Sequence, residues 1–172
     1  VLWMKRRPAG ATLLPERTHC RSRAGGTGGG GRVVNAAGGA ILAEFPSAVE
    51  ALRAGIAIQE QMHGLNADHP PERRVLFRMG LNIGDVVETD AGDMLGDGVN
   101  VAARLEGLAE PGGICLSRSV HEAIAARLTV DFRDIGPQTL KNIPRPIHAF
   151  RQRTAQRAFR VAVKAAGAAV DA

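Results

Sequence analysis

Apolar positions acquire a period at Arg32 and keep one to about Arg151. Val33-Val34-Asn35 and Ala40-Ile41-Leu42-Ala43-Glu44-Phe45 flank Ala36-Ala37-Gly38-Gly39, a pattern that predicts two strands around a tight turn. After Pro46, Ser47 and Glu50 have the spacing of a capping box. Val49, Leu52, Ile56 and Gln59, with Ala48, Ala51, Gly55 and Met62, then form a helical stripe to about His63. Residues 66–74, with Pro70-Pro71, predict a loop, and the strand-like run 75–88 is broken at Gly80 and Gly84. Residues 98–109 predict a helix with Val99, Ala102, Ala103 and Leu105 inward, closed by Pro111-Gly112-Gly113. Residues 114–116 predict a short buried strand, Ser117 is placed to cap a helix reaching Leu128, and 130–135 and 147–151 predict strands around the loop at Lys141. Hairpins mixed with crossovers predict an α+β sandwich rather than a doubly wound parallel sheet.

The two ends lack this patterning. Residues 1–31 finish in Gly25-Gly26-Thr27-Gly28-Gly29-Gly30-Gly31, with no two-residue or 3.6-residue period, and predict a segment of little order. The glycine run has no Lys-Ser or Lys-Thr after it and no apolar strand before it, so it reads as a linker and not as a phosphate loop. Residues 32–152 make one domain, and 153–172 read as a basic Ala/Arg-rich tail or linker. At 172 residues, one domain with a real core is the expectation. Tyrosine is absent and aromatics are 3% of the chain, so the core must be aliphatic.

Charge changes the picture by its position. The chain carries +5 overall, but residues 1–31 hold six bases against Glu16 and residues 151–172 hold five against Asp171. Taking those +5 and +4 away leaves −4 for the middle. Nucleic-acid binding needs a basic stripe with interleaved aromatics, which the patterned region lacks, so no nucleic-acid partner is expected. Cys20 and Cys115 stand alone, with neither zinc nor disulfide spacing, which fits a reducing cytoplasm. No apolar run approaches the ~20 residues of a membrane span, and the start does not have the charge order of a signal peptide. His19, His63, His69, His121 and His148 show no ligand spacing and read as surface or packing residues.

The chemistry concentrates in Asp93-Met94-Leu95-Gly96-Asp97-Gly98-Val99-Asn100-Val101-Ala102-Ala103-Arg104-Leu105-Glu106. Asn100 and Arg104, four apart, share one helix face and can reach one ligand. Equally, Arg104 could pair with a nearby acid and Asn100 could cap the helix, and spacing alone leaves both readings open. Asp85, Asp90 and Asp97 read as solvated loop and strand-end acids.

This stretch closely resembles the class III adenylate and guanylate cyclase signature D-x-x-G-x-x-V-N-x-A-A-R-L-E, without a gap. Four further segments, in order, look like bacterial members. They are Gly31-Arg32-Val33-Val34 through Glu44-Phe45-Pro46-Ser47, Phe77-Arg78-Met79-Gly80-Leu81-Asn82-Ile83-Gly84-Asp85-Val86, Ala109-Glu110-Pro111-Gly112-Gly113-Ile114-Cys115, and Leu140-Lys141-Asn142-Ile143. The resemblance implies a ferredoxin-like cyclase sandwich, here lacking its first strand and helices, and a site at the interface of a head-to-tail homodimer or a heterodimer with another cyclase domain. ATP would become 3′,5′-cyclic AMP and diphosphate. It further implies that Asn100 orients the ribose, Arg104 stabilises charge on the α-phosphate, Lys141 binds the triphosphate and Asp93 accepts from the adenine amino group. Asn35 stands where a base-reading lysine is usual. An Asn can still donate to a ring nitrogen, which keeps adenine ahead of guanine.

The departure lies in the metal site. The family holds Mg2+ or Mn2+ on two aspartates, one at the end of its first strand and one in a hairpin turn. Gly39 occupies the position of the second, and residues 1–31 contain no aspartate. The expectation is a cyclase domain deficient on its own, with a non-catalytic nucleotide-binding or dimerisation module as the alternative and a basic-tailed nucleic-acid binder as a third.

Overall fold

A computed structural model describes residues 2–8, 31–37, 40–88, 94–152 and 162–163. Seven strands form the main sheet: β1 (Leu2–Pro8), β2 (Arg32–Ala37), β3 (Ala40–Glu44), β4 (Val75–Leu81), β7 (Ile114–Ser117), β9 (Phe132–Gln138) and β10 (Ile147–Gln152). Their spatial order is β2-β3-β1-β4-β7-β10-β9. Only the β4–β7 pair is parallel, as its crossover connection requires. Two small ribbons accompany the sheet: β5 (Val87–Glu88) with β6 (Met94–Leu95), and β8 (Leu128–Thr129) with β11 (Ala162–Val163). The last pairing lies within residues 153–172, the segment expected to be a tail.

Among the described residues three helices sandwich this sheet: α1 (Ala48–Leu65), α2 (Asp97–Leu108) and α3 (Arg118–Ala125). Strand alternation sorts them between two faces. Met79 and Leu81 of β4 and Ile114 and Leu116 of β7 pack with Val49, Leu52 and Ile56 of α1 and Val120 and Ile124 of α3. On the opposite face, Cys115 and Ala149 pack with Val101 and Leu105 of α2, along with Ala109. Gly80 also faces α2, and a Cβ there would strike the Ala102 carbonyl and the Glu106 amide. The helix lies directly on the β4 backbone at that point. Arg78 Nε meets Glu106 Oε1 at 3.2 Å, with side chains 18% and 8% exposed, and ties β4 to α2 by charge.

Local chemistry sets the boundaries. Ser47 Oγ accepts from the Glu50 amide at 3.2 Å, the first half of the expected capping box, and starts α1. At its other end, Asn66 bridges the loop, donating to the Val75 carbonyl at 2.8 Å and accepting from the Val75 amide at 2.9 Å. Ser117 precedes α3 but makes no side-chain cap. Its hydroxyl pairs with that of Ser119 at 2.9 Å, and the helix ends at Ala125, short of Leu128.

The first strand corrects the sequence reading. Residues 1–31 were expected to hold little order and the domain to lack its first strand, yet Leu2–Pro8 sits between β3 and β4. Leu2 pairs with Ala43 and Leu81, and Lys5 with Ala40 and Arg78. Without β1, both neighbouring strands would present unpaired amides and carbonyls along the middle of the sheet, which is costly away from water. Residues 9–30 lie outside the described residues.

Candidate active site

The helix α2 is set in place at its start by close backbone approach. Gly96, with φ 143°, ends the approach, and its carbonyl accepts from the amides of Val99 and Asn100 at 3.2 Å. Only glycine adopts that φ without strain. Gly98 packs on the backbone of Gly84, and Asn82 Nδ2 donates to the Gly98 carbonyl at 3.3 Å. Asn100 is therefore inside the helix and not its cap, which removes the capping explanation for it. With Val99, Val101, Ala102 and Leu105 buried, Asn100 and Arg104 are exposed one turn apart.

The connection between β9 and β10 brings in Lys141. Leu140 is buried before it, and Ile143 packs on the Leu105 cluster after it. The Ile143 amide donates to the Leu140 carbonyl at 3.1 Å, and Asn142 takes φ 63° at the apex. Arg104 Nε donates to the Lys141 carbonyl at 3.2 Å. Among the described residues Arg104 has no acid partner. Asn100, Arg104 and Lys141 thus share one exposed surface, with two cationic side chains and an amide available to a ligand.

The other predicted residues are not gathered there. Asn35 is on β2, at the sheet edge farthest from β9. Between β3 and β10 lie four strand spacings, about 19 Å at ~4.8 Å each, more than one triphosphate spans. Asp93 and Gly39 lie outside the described residues. The cavity of about 280 Å3 between β3, the start of α1 and the end of β4 is lined by none of Asn100, Arg104 or Lys141. Their surface is open. Toward the start of α2, Ile83, Val87 and Leu95 expose 49%, 65% and 60% of their area, an apolar rim of the kind partners cover.

The model of the adenylate and guanylate cyclase catalytic domain matches residues 35–152. The chain belongs to that family. A protein of Rhizobium meliloti named "Putative adenylate cyclase 3" is 46% identical over 118 residues, which is 69% of this chain and 20% of that protein. The chain thus spans about a fifth of that relative's length. The crystal structure of an adenylate/guanylate cyclase/hydrolase from Silicibacter pomeroyi superposes with TM-score 0.73 at 38% identity, covering 88% of this chain and 94% of that one. The adenylyl cyclase CyaB from P. aeruginosa shares the fold at TM-score 0.63 and 18% identity, over 92% and 95% of the two chains.

Cyclase domains of this family generally use divalent metals, and the described residues offer no ligand set for one. The first strand reads Leu2-Trp3-Met4-Lys5-Arg6-Arg7-Pro8, the β2–β3 turn reads Ala37-Gly38-Gly39-Ala40, and neither holds a carboxylate. Among the described residues, no group of three or more His, Cys, Asp or Glu could hold an ion.

Two residues missed in the sequence complete the picture. Glu106 closes the signature but serves the fold, through Arg78. Asn142 holds a left-handed turn that motif reading did not single out. Among the histidines, His121 stacks on Phe150 at 4.0 Å, and His148 Nε2 pairs with Asp134 Oδ1 at 2.7 Å. Burial pushes the Cys115 thiol up to about 12, against smaller opposing effects of Arg151 and the Leu116 amide, which leaves it unreactive at neutral pH. Among the described residues no helix is long and apolar enough to cross a membrane.

Proposed function

We propose that this cyclase domain supplies half of an adenylate cyclase site, to be completed by a second cyclase chain. The observation carrying this reading is the contact of Arg104 with the Lys141 loop beside exposed Asn100, on a surface where the described residues gather no carboxylate donor set. In ATP conversion, the ribose 3′-oxygen bonds to the α-phosphorus as the bond to the β-phosphate oxygen breaks. The hydroxyl proton leaves, and cyclic AMP and diphosphate form. Asn100 holds the ribose in line, Arg104 meets the charge that builds on the α-phosphate, and Lys141 steadies the departing phosphates. Asp93 accepts from the adenine amino group, with Asn35 as the second base contact.

Four strand spacings, about 19 Å at ~4.8 Å each, lie between β3 and β10, and the apolar rim gives a partner something to cover. Alone, the chain lacks the metal carboxylates and several kcal/mol of the stabilisation they support. A second reading, a nucleotide-binding or dimerisation module without catalysis, is favoured by that same lack. Mixing the chain with a cyclase that keeps both metal aspartates but has lost its own Asn and Arg tests the two. Cyclic AMP production supports the half-site, and a demonstrated heterodimer without product supports the module.

A further inference from the structure

We infer that the nucleotide this chain takes is the metal-free polyphosphate anion in preference to its magnesium complex, an inference that rests on Asn100, Arg104 and Lys141 being the nucleotide-binding surface. A magnesium chelate carries two fewer negative charges than the free nucleotide. A protein recovers that loss by offering carboxylates to the ion. Two places on this chain are candidates to meet phosphates, and among the described residues neither gathers acids that could hold the ion.

At α2, Arg104 and Lys141 stand side by side, joined by the 3.2 Å contact from Arg104 Nε to the Lys141 carbonyl. Asp97, in the first turn of α2, is seven residues from Arg104, about 10 Å along the axis. Asp85 precedes α2, its carbonyl close to Gly96 and Gly98 at the same far end. At the hairpin, the register places Lys5 of β1 opposite Ala40, next to the turn, with Arg6 and Arg7 following toward Leu76. The turn itself contributes Gly38 and Gly39. At α2 the chain therefore presents guanidinium and ammonium groups, and the sequence of β1 and of the β2–β3 turn holds no carboxylate for a metal-bound phosphate. Cations of this kind bind more tightly as ligand charge rises, and they compete with magnesium for the same phosphate oxygens.

The test is calorimetric titration of the full chain with ATP, and separately with inorganic triphosphate, at constant ionic strength in EDTA or in excess Mg2+. Tighter binding in EDTA, by roughly threefold to tenfold, is expected for both ligands. Arg104→Gln and Lys141→Gln, both at exposed positions and checked for unchanged melting, should weaken binding in EDTA and shrink the preference. Equal or tighter binding in Mg2+, with those variants still weakened, would overturn this inference and leave the binding surface standing. If neither variant alters the affinity, or if no ATP binds in either medium, the binding surface itself is wrong and this inference falls with it.

Discussion

Two regions of the sheet received different chemistry. On the α2 side, a signature helix, a buried anchor at Leu105 and a loop with a left-handed apex converge on Asn100, Arg104 and Lys141. On the β1 side, the strand and hairpin have the register of a sheet centre and edge, while the sequence of β1 and of the β2–β3 turn is basic and glycine-rich without an acid. Backbone hydrogen bonds and aliphatic burial set the strand positions, while ion binding needs particular side chains that the fold does not require. The β1 side can therefore keep its architecture without its chemistry.

Removing residues 1–31 should cause the largest change, because it opens the slot between β3 and β4. A loss on the order of 5 kcal/mol follows from a strand's worth of paired backbone groups at ~1 kcal/mol each, read as a fall of many degrees in melting temperature or loss of cooperative unfolding. An unchanged transition would show that β1 contributes nothing to the sheet. Next, Leu105→Ala should cost about 3 kcal/mol in denaturant unfolding, since that side chain is fully buried under the Lys141 loop. A cost under ~1 kcal/mol would show that the α2 side is not built on that anchor.

Much of the α2 side was legible in the sequence, because its groups lie in one run and the helical period places them. The helix over 97–108, the strand over 114–117 and the Ser47 start of α1 follow from local pattern. What escaped depends on distant partners. Leu2-Trp3-Met4 followed by Lys5-Arg6-Arg7 has no alternation of its own, and its strand identity comes from pairing with residues about 40 and 75 positions away. The Arg78–Glu106 tie likewise joins two segments that read separately, and the φ of Asn142 leaves no trace in periodicity.

Smaller effects sharpen the comparison. Glu106→Gln leaves the mostly buried Arg78 charge without its acid and should destabilise by about 2 kcal/mol in denaturant unfolding, with the signature's Asn100 and Arg104 untouched. No measurable change would return Glu106 to a purely functional role. Smallest is the acid response of β9. The Gly136 amide, and then His148, hold the Asp134 carboxyl below the usual aspartate value. A lowered folded-state value means stability present above the unfolded-state value and lost as pH falls through the folded one. Asp134→Asn should therefore flatten the acid limb of the melting profile slightly, and an unaltered limb would assign that limb to other carboxylates.

The proposed half-site is tested most directly by cyclic AMP formation in a mixture with a cyclase that keeps both metal aspartates and has lost its own Asn and Arg, once light scattering shows that the two associate. The chain alone, with ATP and Mg2+ or Mn2+, should give no product, and Gly39→Asp alone should not change that. The mixture should turn over, and Arg104→Ala in this chain should cut the rate by on the order of a hundredfold. A heterodimer that makes no cyclic AMP, or one whose rate is indifferent to Arg104→Ala, would contradict it.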